Sequence, residues 1–454
     1  MTAAAPMVIS PDVLKRLVCV DQQHDRLCEA PTWLAVPNDA DYRAALAALH
    51  DRVDETLALY IHIPFCPGRC LYCGCNTTVT HNTQRIDRYL DRLEMEIELV
   101  APAIASGRDV LQLHIAGGTP NYLGDAQLTR LIEMIERRFR ILPETDTSIE
   151  CDPRRSSAGQ LELLHSLGLR RITFGVQDLE PRVQRAIGRI QSIDLVRDVY
   201  WMAREIGFES ISFDLIYGLP EQTEASFQAT VEAVIELGPD RVACFGYSRG
   251  TEQSPHQHAI DCHRLPTDTE RARLFERAVE LFTNSGYVWI GLDTFVLDSD
   301  ELALAQEECR LQRNPIGYTA MKPHHLLGFG AGAVADINGY CVQNETTVEA
   351  WAAAINRQIL PIARGYQLTE RDRCRRNAVG HFVCNLALPW ALAEQCMADE
   401  YHRLTKYVNE GLIAVHDTHL CVTPKGRYFL RQLCTEHDAW FVWDRAQWHF
   451  SRTS

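Results

Sequence analysis

The chain has 454 residues, 46% hydrophobic and 23% charged, an ordinary globular balance in a chain longer than one hydrophobic core usually serves. A formal net charge of −15 argues against nucleic acid or an anionic membrane as the main partner, and no run of about 18 apolar residues could span a bilayer. The N-terminus, MTAAAPMVISPDVLKRL, has no apolar stretch behind a basic start, so no export signal is read there and the expected location is the cytoplasm.

Residues 1–55 read as an N-terminal extension. From about residue 59, short β-rich runs alternate with stretches of helical periodicity. The pattern predicts strands over residues 59–63, 110–115, 147–151, 171–174, 211–216 and 241–245. It predicts helices over 86–100, 126–139, 158–167, 193–206 and 224–237. Strands separated by helices of this length imply βαβ units and a parallel sheet. Right-handed crossovers would curl about six units into an α/β fold, a partial (β/α)6 barrel, over residues 56–350. Active sites on parallel sheets lie at the carboxyl ends of the strands, and the polar motifs of this chain do follow predicted strands.

Beyond about residue 360 the pattern changes, and residues 351–454 are assigned to a smaller, mostly helical C-terminal domain. Within it, two β-rich runs flank a turn at 416–419, like the wing of a winged-helix domain. With an acidic chain and no dense basic patch, this domain is expected to cover the barrel mouth rather than to read DNA.

Sixteen cysteines in a long chain without an export signal are expected to be reduced thiols. Cys151, Cys244, Cys262, Cys341, Cys384 and Cys421 stand singly in apolar contexts and read as small buried hydrophobes. Four others, Cys66, Cys70, Cys73 and Cys75, fall within ten residues, in a loop that leaves a strand. Three thiolates spaced C-x-x-x-C-x-x-C can bind three irons of a [4Fe–4S] cubane and leave the fourth open to a chelating ligand. A zinc knuckle is the competing reading, but it wants a second ligand pair well apart in sequence, and none follows.

That block resembles the radical S-adenosylmethionine (SAM) superfamily. From about residue 59 to 430 the chain is similar to the oxygen-independent coproporphyrinogen III oxidase family. The runs YIHIPFC, CGCN, GGTPNYL, SIECDPR, FGVQD, DLIYGLP, GFGAGAVA and VTPKGR occur in order. The resemblance implies a [4Fe–4S] cluster on Cys66, Cys70 and Cys73, and two SAM molecules. One SAM would occupy the open iron and be cleaved to methionine and a 5′-deoxyadenosyl radical, with the protein positioning the parts and excluding side reactions. It also implies a tetrapyrrole substrate, coproporphyrinogen III, two propionates of which become vinyl groups as protoporphyrinogen IX forms. Further expectations are a reductant such as flavodoxin or ferredoxin, a monomer, and no nucleic-acid or membrane partner.

Site residues follow from the matched motifs. Gly117 and Gly118 let the backbone approach a ligand, and Thr119 adds a hydroxyl. Glu150, ending a strand, suits ribose hydroxyls or the SAM amine. Gln177, Arg189 and Asp214 fall where the family contacts a second SAM, Arg189 being able to pair with a carboxylate. Tyr60 and Tyr72 flank the cluster loop as adenine or methionine contacts, and Ser248 and Val334 stand where the family makes backbone contacts to SAM. Cys75 and Tyr60 are the catalytic candidates. Cys75 is a poor fourth iron ligand, because SAM needs that position; related heme-binding chaperones usually lack it.

The chain departs from the family where substrate is expected. Residues 30–37 read APTWLAVP in place of P-R-Y-T-S-Y-P-T, Thr294 replaces a histidine in GLDTF, and residues 246–251 read GYSRGT in place of N-Y-A-H-L-P. Arg249, Arg310 and Arg313 are candidates for holding substrate carboxylates. These departures leave two alternatives to porphyrinogen decarboxylation. One is another two-SAM reaction, such as methyl or methylene transfer or anaerobic heme opening. The other is a heme-delivery protein, against which Cys75, Gln177, Arg189 and Asp214 all speak.

Overall fold

The computed structural model describes residues 39–104, 108–248, 255–397 and 404–435. Strand β1, Leu57–Ile63, is buried along its whole length, as the near-continuous apolar run LALYIHI requires of a central parallel strand. Strands β2 (Asp109–Gly117), β3 (Arg140–Cys151), β4 (Arg171–Gln177), β5 (Ser210–Tyr217) and β6 (Arg241–Gly246) follow, each parallel to the one before. Helices Thr83–Val100, Asp125–Glu136, Ala158–Ser166, Ile193–Ile206 and Glu224–Leu237 connect them. Two of these helices match their sequence-predicted bounds because both ends are marked chemically. Ser192 and Thr223 cap the N-termini through their side chains, and Gly207 (φ +106°) and Gly238 (φ +71°) end them in the left-handed conformation.

The sheet is larger than the six predicted strands. On one side of β1 lie β9 (His325–Phe329, parallel), then β10 (Val334–Ile337), β11 (Tyr340–Asn344) and β12 (Ile362–Gln367), all antiparallel. On the far side β6 pairs with β8 (Thr294–Leu297), and β8 with β7 (Tyr287–Gly291). Twelve strands therefore form one open sheet in the order β12-β11-β10-β9-β1-β2-β3-β4-β5-β6-β8-β7. The barrel is partial because β1 and β6 each pair with an added strand rather than with each other.

Elements at both ends of residues 56–350 pack with the same sheet and core. The helix Asp39–Ala47 belongs to the main core through buried Tyr42 and Leu46, so part of the expected N-terminal extension is built into the barrel. At the other end β12 lies beyond residue 350 and carries the same sheet on to Gln367. The C-terminal part has its own core, formed by residues from Ala378 to Cys434 together with Ile290, Leu292 and Leu302. Strand β7 is the wall between the two cores, since Tyr287 and Trp289 face one and Val288 and Ile290 the other, as a period of two dictates. The predicted wing is present as Ile413–Val415 paired antiparallel with His419–Val422, with Ala387–Pro389 as a third strand. Among the described residues no helix is long and apolar enough to cross a membrane.

Two expectations for the cysteines are corrected. Cys374 and Cys396 form a disulfide, because helix Trp390–Met397 folds back against helix Glu370–Asn385 and brings the two together. Cys262 is exposed and Cys421 half-buried, whereas Cys151, Cys244, Cys341 and Cys384 are buried as expected.

Candidate active site

Phe65–Cys66 continues from β1 and pairs with Thr78–Val79, so both ends of the cysteine loop lie side by side and the segment between them closes on itself. Cys66 is buried, and Cys70, Cys73 and Cys75 are half-buried. The loop is braced from distant chain. The Leu71 N–H donates to the Ile187 carbonyl (2.9 Å), His256 Nε2–H to the Cys73 carbonyl (2.7 Å) and the Gln257 amide to the Tyr72 carbonyl (2.6 Å). Tyr72 itself packs against Val183, Ile187, Leu219, Tyr247 and Ile260.

The GGT turn at the end of β2 lies directly beneath this loop, with Thr119 Oγ1 3.3 Å from Cys66 Sγ. A Cβ on Gly118 would stand 2.8 Å from the Pro64 carbonyl oxygen and 2.9 Å from both Cys66 Sγ and the Phe65 carbonyl oxygen. Gly117 has φ +126° and equally close neighbours in His62 and Ile63. Burial pushes the Cys66 thiol up to about 11, and a hydrogen bond from Cys75 holds the Cys73 thiol below its ordinary value. A thiol such as Cys66 is deprotonated by coordinating metal, not by its surroundings. Three convergent sulfurs over a side-chain-free cradle fit a [4Fe–4S] cluster held by Cys66, Cys70 and Cys73. The remaining thiol, Cys75, is engaged with Cys73.

The inner face of the barrel carries the polar residues. Tyr60 and His62 share one face of β1, and their hydroxyl and Nδ1 are 2.9 Å apart. His62 Nε2 is 2.9 Å from the Asn76 carbonyl, which can only accept. His62 therefore carries its proton on Nε2 and receives the Tyr60 hydroxyl at Nδ1. Burial also holds His62 below its ordinary pKa, in its neutral form. The His114 ring stacks on Tyr60 (6.1 Å), and its Nε2 is 3.8 Å from Glu150, which accepts the Gly117 N–H at 3.5 Å. Val334 packs with Tyr60 and Ala116 from β10.

Arg189 is buried behind the loop. It donates to the Gly175 carbonyl (2.6 Å), lies 3.4 Å from Asp152 and 3.8 Å from Cys70 Sγ. Asp152 in turn takes Arg154 at 2.6 Å, and the Asn121 side chain bridges its backbone on both sides. The motifs GGTPNYL, SIECDPR and the cluster loop are thus one hydrogen-bonded unit. Gln177 ends β4 with φ +67°, at a bulge that folds its amide over Gly175, where a Cβ would stand 2.7 Å from Nε2. Burial, Glu150 and then Asp293 push the Asp214 carboxyl well above the usual range, with Arg189 opposing. Glu150, Asp214 and Asp293 are set against the guanidiniums of Arg189 and Arg431, and a cationic ligand beside Asp214 would relieve the crowding that raises it. A hydrogen bond to a charged group is worth about 1.5–3 kcal/mol, about tenfold or more in turnover. Asp214→Asn is expected to cost that much while the cluster's absorption stays unchanged; loss of iron in this variant would make Asp214 a scaffold residue instead.

The barrel mouth therefore collects Tyr60, Tyr72, Cys75, Gly117, Gly118, Thr119, Glu150, Gln177, Arg189, Asp214 and Val334. Ser248 follows β6 at the end of a described stretch. Of the substrate arginines, Arg249 and the altered residues 30–37 lie outside the described residues. Arg310 is exposed and paired with Glu308. Arg313 lies over the Tyr318 ring, whose hydroxyl abuts Gly291. Thr294 hydrogen-bonds Asp293, and Arg431 of the C-terminal part reaches Asp293 at 3.3 Å, which sets that part at the rim beside Asp214. His62, His114, Asp152, His256 and Gln257 were missed by the sequence reading. His62 was within its reach, being two residues from Tyr60 on one strand. Nothing local marks His256, 183 residues from its partner.

Residues 60–234 match the family model described as the Radical SAM superfamily. The chain is 37% identical over 94% of its length, and 95% of the relative's, to the oxygen-independent coproporphyrinogen III oxidase of Escherichia coli (strain K12). It is 35% identical to the enzyme of that name from Pseudomonas aeruginosa, over 87% of this chain and 88% of the relative. Among solved structures, coproporphyrinogen III oxidase from Escherichia coli, described as a radical SAM enzyme, superposes with a TM-score of 0.85 at 36% identity, covering 89% of this chain and 94% of that one. With the cluster loop, its glycine cradle and the polar mouth all in place on a partial barrel, the chain belongs to the oxygen-independent coproporphyrinogen III oxidase family of radical SAM enzymes.

Proposed function

We propose that the protein converts coproporphyrinogen III to protoporphyrinogen IX without oxygen, by oxidative decarboxylation of two propionates. The observation that carries this reading is the meeting, at one barrel mouth, of the three-cysteine loop with Arg189, Asp214 and Cys75. When bound, the cluster and SAM supply the single electron and the 5′-deoxyadenosyl radical that take a hydrogen from the substrate. The chain's own residues bind and orient. Cys66, Cys70 and Cys73 would hold the cluster, and Gly117, Gly118, Thr119 and Glu150 line one SAM position beside it. Gln177, Arg189 and Asp214 suit a second SAM, the sulfonium and amine offsetting the local negative charge and Arg189 pairing with the carboxylate. Arg313 is the candidate, among the described residues, for a substrate propionate. The reading includes a one-electron reductant of the flavodoxin or ferredoxin kind, a monomer and a cytoplasmic location.

The test is anaerobic turnover of reconstituted enzyme with SAM, reductant and coproporphyrinogen III, followed by mass spectrometry. Protoporphyrinogen IX with 5′-deoxyadenosine is expected. A second reading rests on Thr294, which hydrogen-bonds Asp293 where the family has histidine: the same radical chemistry on another substrate. 5′-Deoxyadenosine beside untouched porphyrinogen, or a product that gains CH2, would favour it.

A further inference from the structure

The wing of the C-terminal part carries the sequence His416-Asp-Thr-His419-Leu-Cys421, which the site at the barrel mouth does not use. The His416 N–H bonds the His419 carbonyl (2.9 Å), so these two residues face each other across a two-residue turn. Their rings stack with centroids 4.8 Å apart and planes 18° from parallel. Cys421 lies two residues beyond His419 on the same strand, hence on the same face, while Leu420 and Val422 point into the core. Its cross-strand neighbours are Ala414 on one side and Ala387 on the other, and Pro389 lies beside His419. Small neighbours leave the face open. One ligand atom each from His416, His419 and Cys421 can be chosen so that all lie within 4.8 Å of one another.

From this juxtaposition we infer that the wing holds one zinc ion through His416, His419 and Cys421, with water completing a tetrahedral shell. Two imidazoles and one thiolate are the donor set of a borderline-soft dication, and three protein ligands with one open position is a recurrent zinc arrangement. The turn is held before any metal arrives. The Trp390 indole N–H donates to the His416 carbonyl (2.8 Å) and its backbone N–H to the Thr418 carbonyl (3.1 Å). The His419 Nδ1 engages Thr418 Oγ1 (3.0 Å), which leaves Nε2 for the metal. Burial raises the Cys421 thiol and nearby Arg427 opposes that, so the proton leaves as the sulfur is coordinated. Bound zinc would pin the strands of the wing together at their tip.

The test uses cluster-reconstituted protein under anaerobic conditions, so that Cys66, Cys70 and Cys73 are occupied, dialysed against buffered free zinc. One zinc per chain is expected at low-micromolar free zinc or below. The double variant His416→Ala/His419→Ala is expected to bind at least tenfold more weakly, with the cluster absorption intact. Zinc-edge absorption spectroscopy should show one sulfur at about 2.3 Å and nitrogens at about 2.0 Å, the sulfur disappearing in Cys421→Ser even if the double variant fails to fold. Cys262→Ser, in the exposed trio Asp261, Cys262 and His263, is expected to change nothing. Undiminished zinc in the double variant, zinc with no sulfur neighbour, sulfur scattering that persists in Cys421→Ser, or no retention at low-micromolar free zinc would each overturn the assignment.

Discussion

Cys70→Ser is expected to abolish the visible absorption of the reconstituted protein and all cleavage of SAM. The loop presents three sulfurs to three irons, and a serine hydroxyl ionises far less readily than a thiol, so the cubane loses a corner. Cys75 cannot move in as a replacement: it is already hydrogen-bonded to Cys73, while Cys70 occupies a separate position 3.8 Å from the Arg189 guanidinium. The measurement is the anaerobic absorption spectrum with iron per chain, followed by assay for 5′-deoxyadenosine. An unchanged spectrum would remove Cys70 from the ligand set and return Cys75 to consideration.

Gly118→Ala is expected to be nearly as damaging, although it removes no ligand. The added methyl meets two backbone carbonyl oxygens, of Pro64 and Phe65, and the sulfur of Cys66, all at 2.8–2.9 Å. A flexible side-chain end could swing aside; backbone carbonyls cannot, so the loop must lift away from β2 and carry Cys66 with it. Iron content is expected to fall severalfold and SAM cleavage with it. Gly124→Ala is the control, since its Cβ would come no nearer than 3.8 Å to Gln127. If Gly118→Ala keeps full iron and normal cleavage, the turn is not the cradle of the cluster.

How much of this was legible beforehand depends on the range over which each feature is encoded. Periodicity, caps and breakers act within a few residues, so β1 to β6 and their helices were readable, and helices 193–206 and 224–237 could be bounded by Ser192, Gly207, Thr223 and Gly238. The cluster cysteines were readable for the same reason, since a loop of ten residues encloses all its ligands. The motifs after the strands were also readable, because parallel β/α topology sends every carboxyl end to one rim.

The rest required the chain to fold. Strands β7 to β12 are short, and the two that join them to the rest of the sheet, β9 and β8, pair with β1 and β6, which lie far off in sequence. His256 and Gln257 brace a loop more than 180 residues away. Asp152 acquires its meaning from Arg189, and Cys374 meets Cys396 only when two helices fold back on each other. The same limit applied to the wing, where the turn could be read but not the face it presents. Local sequence determines which residues can form a strand, a cap or a ligand loop. Which distant side chains brace that loop, and which carboxylates crowd one another at the mouth, is settled by strand order and register, which no short stretch of chain contains.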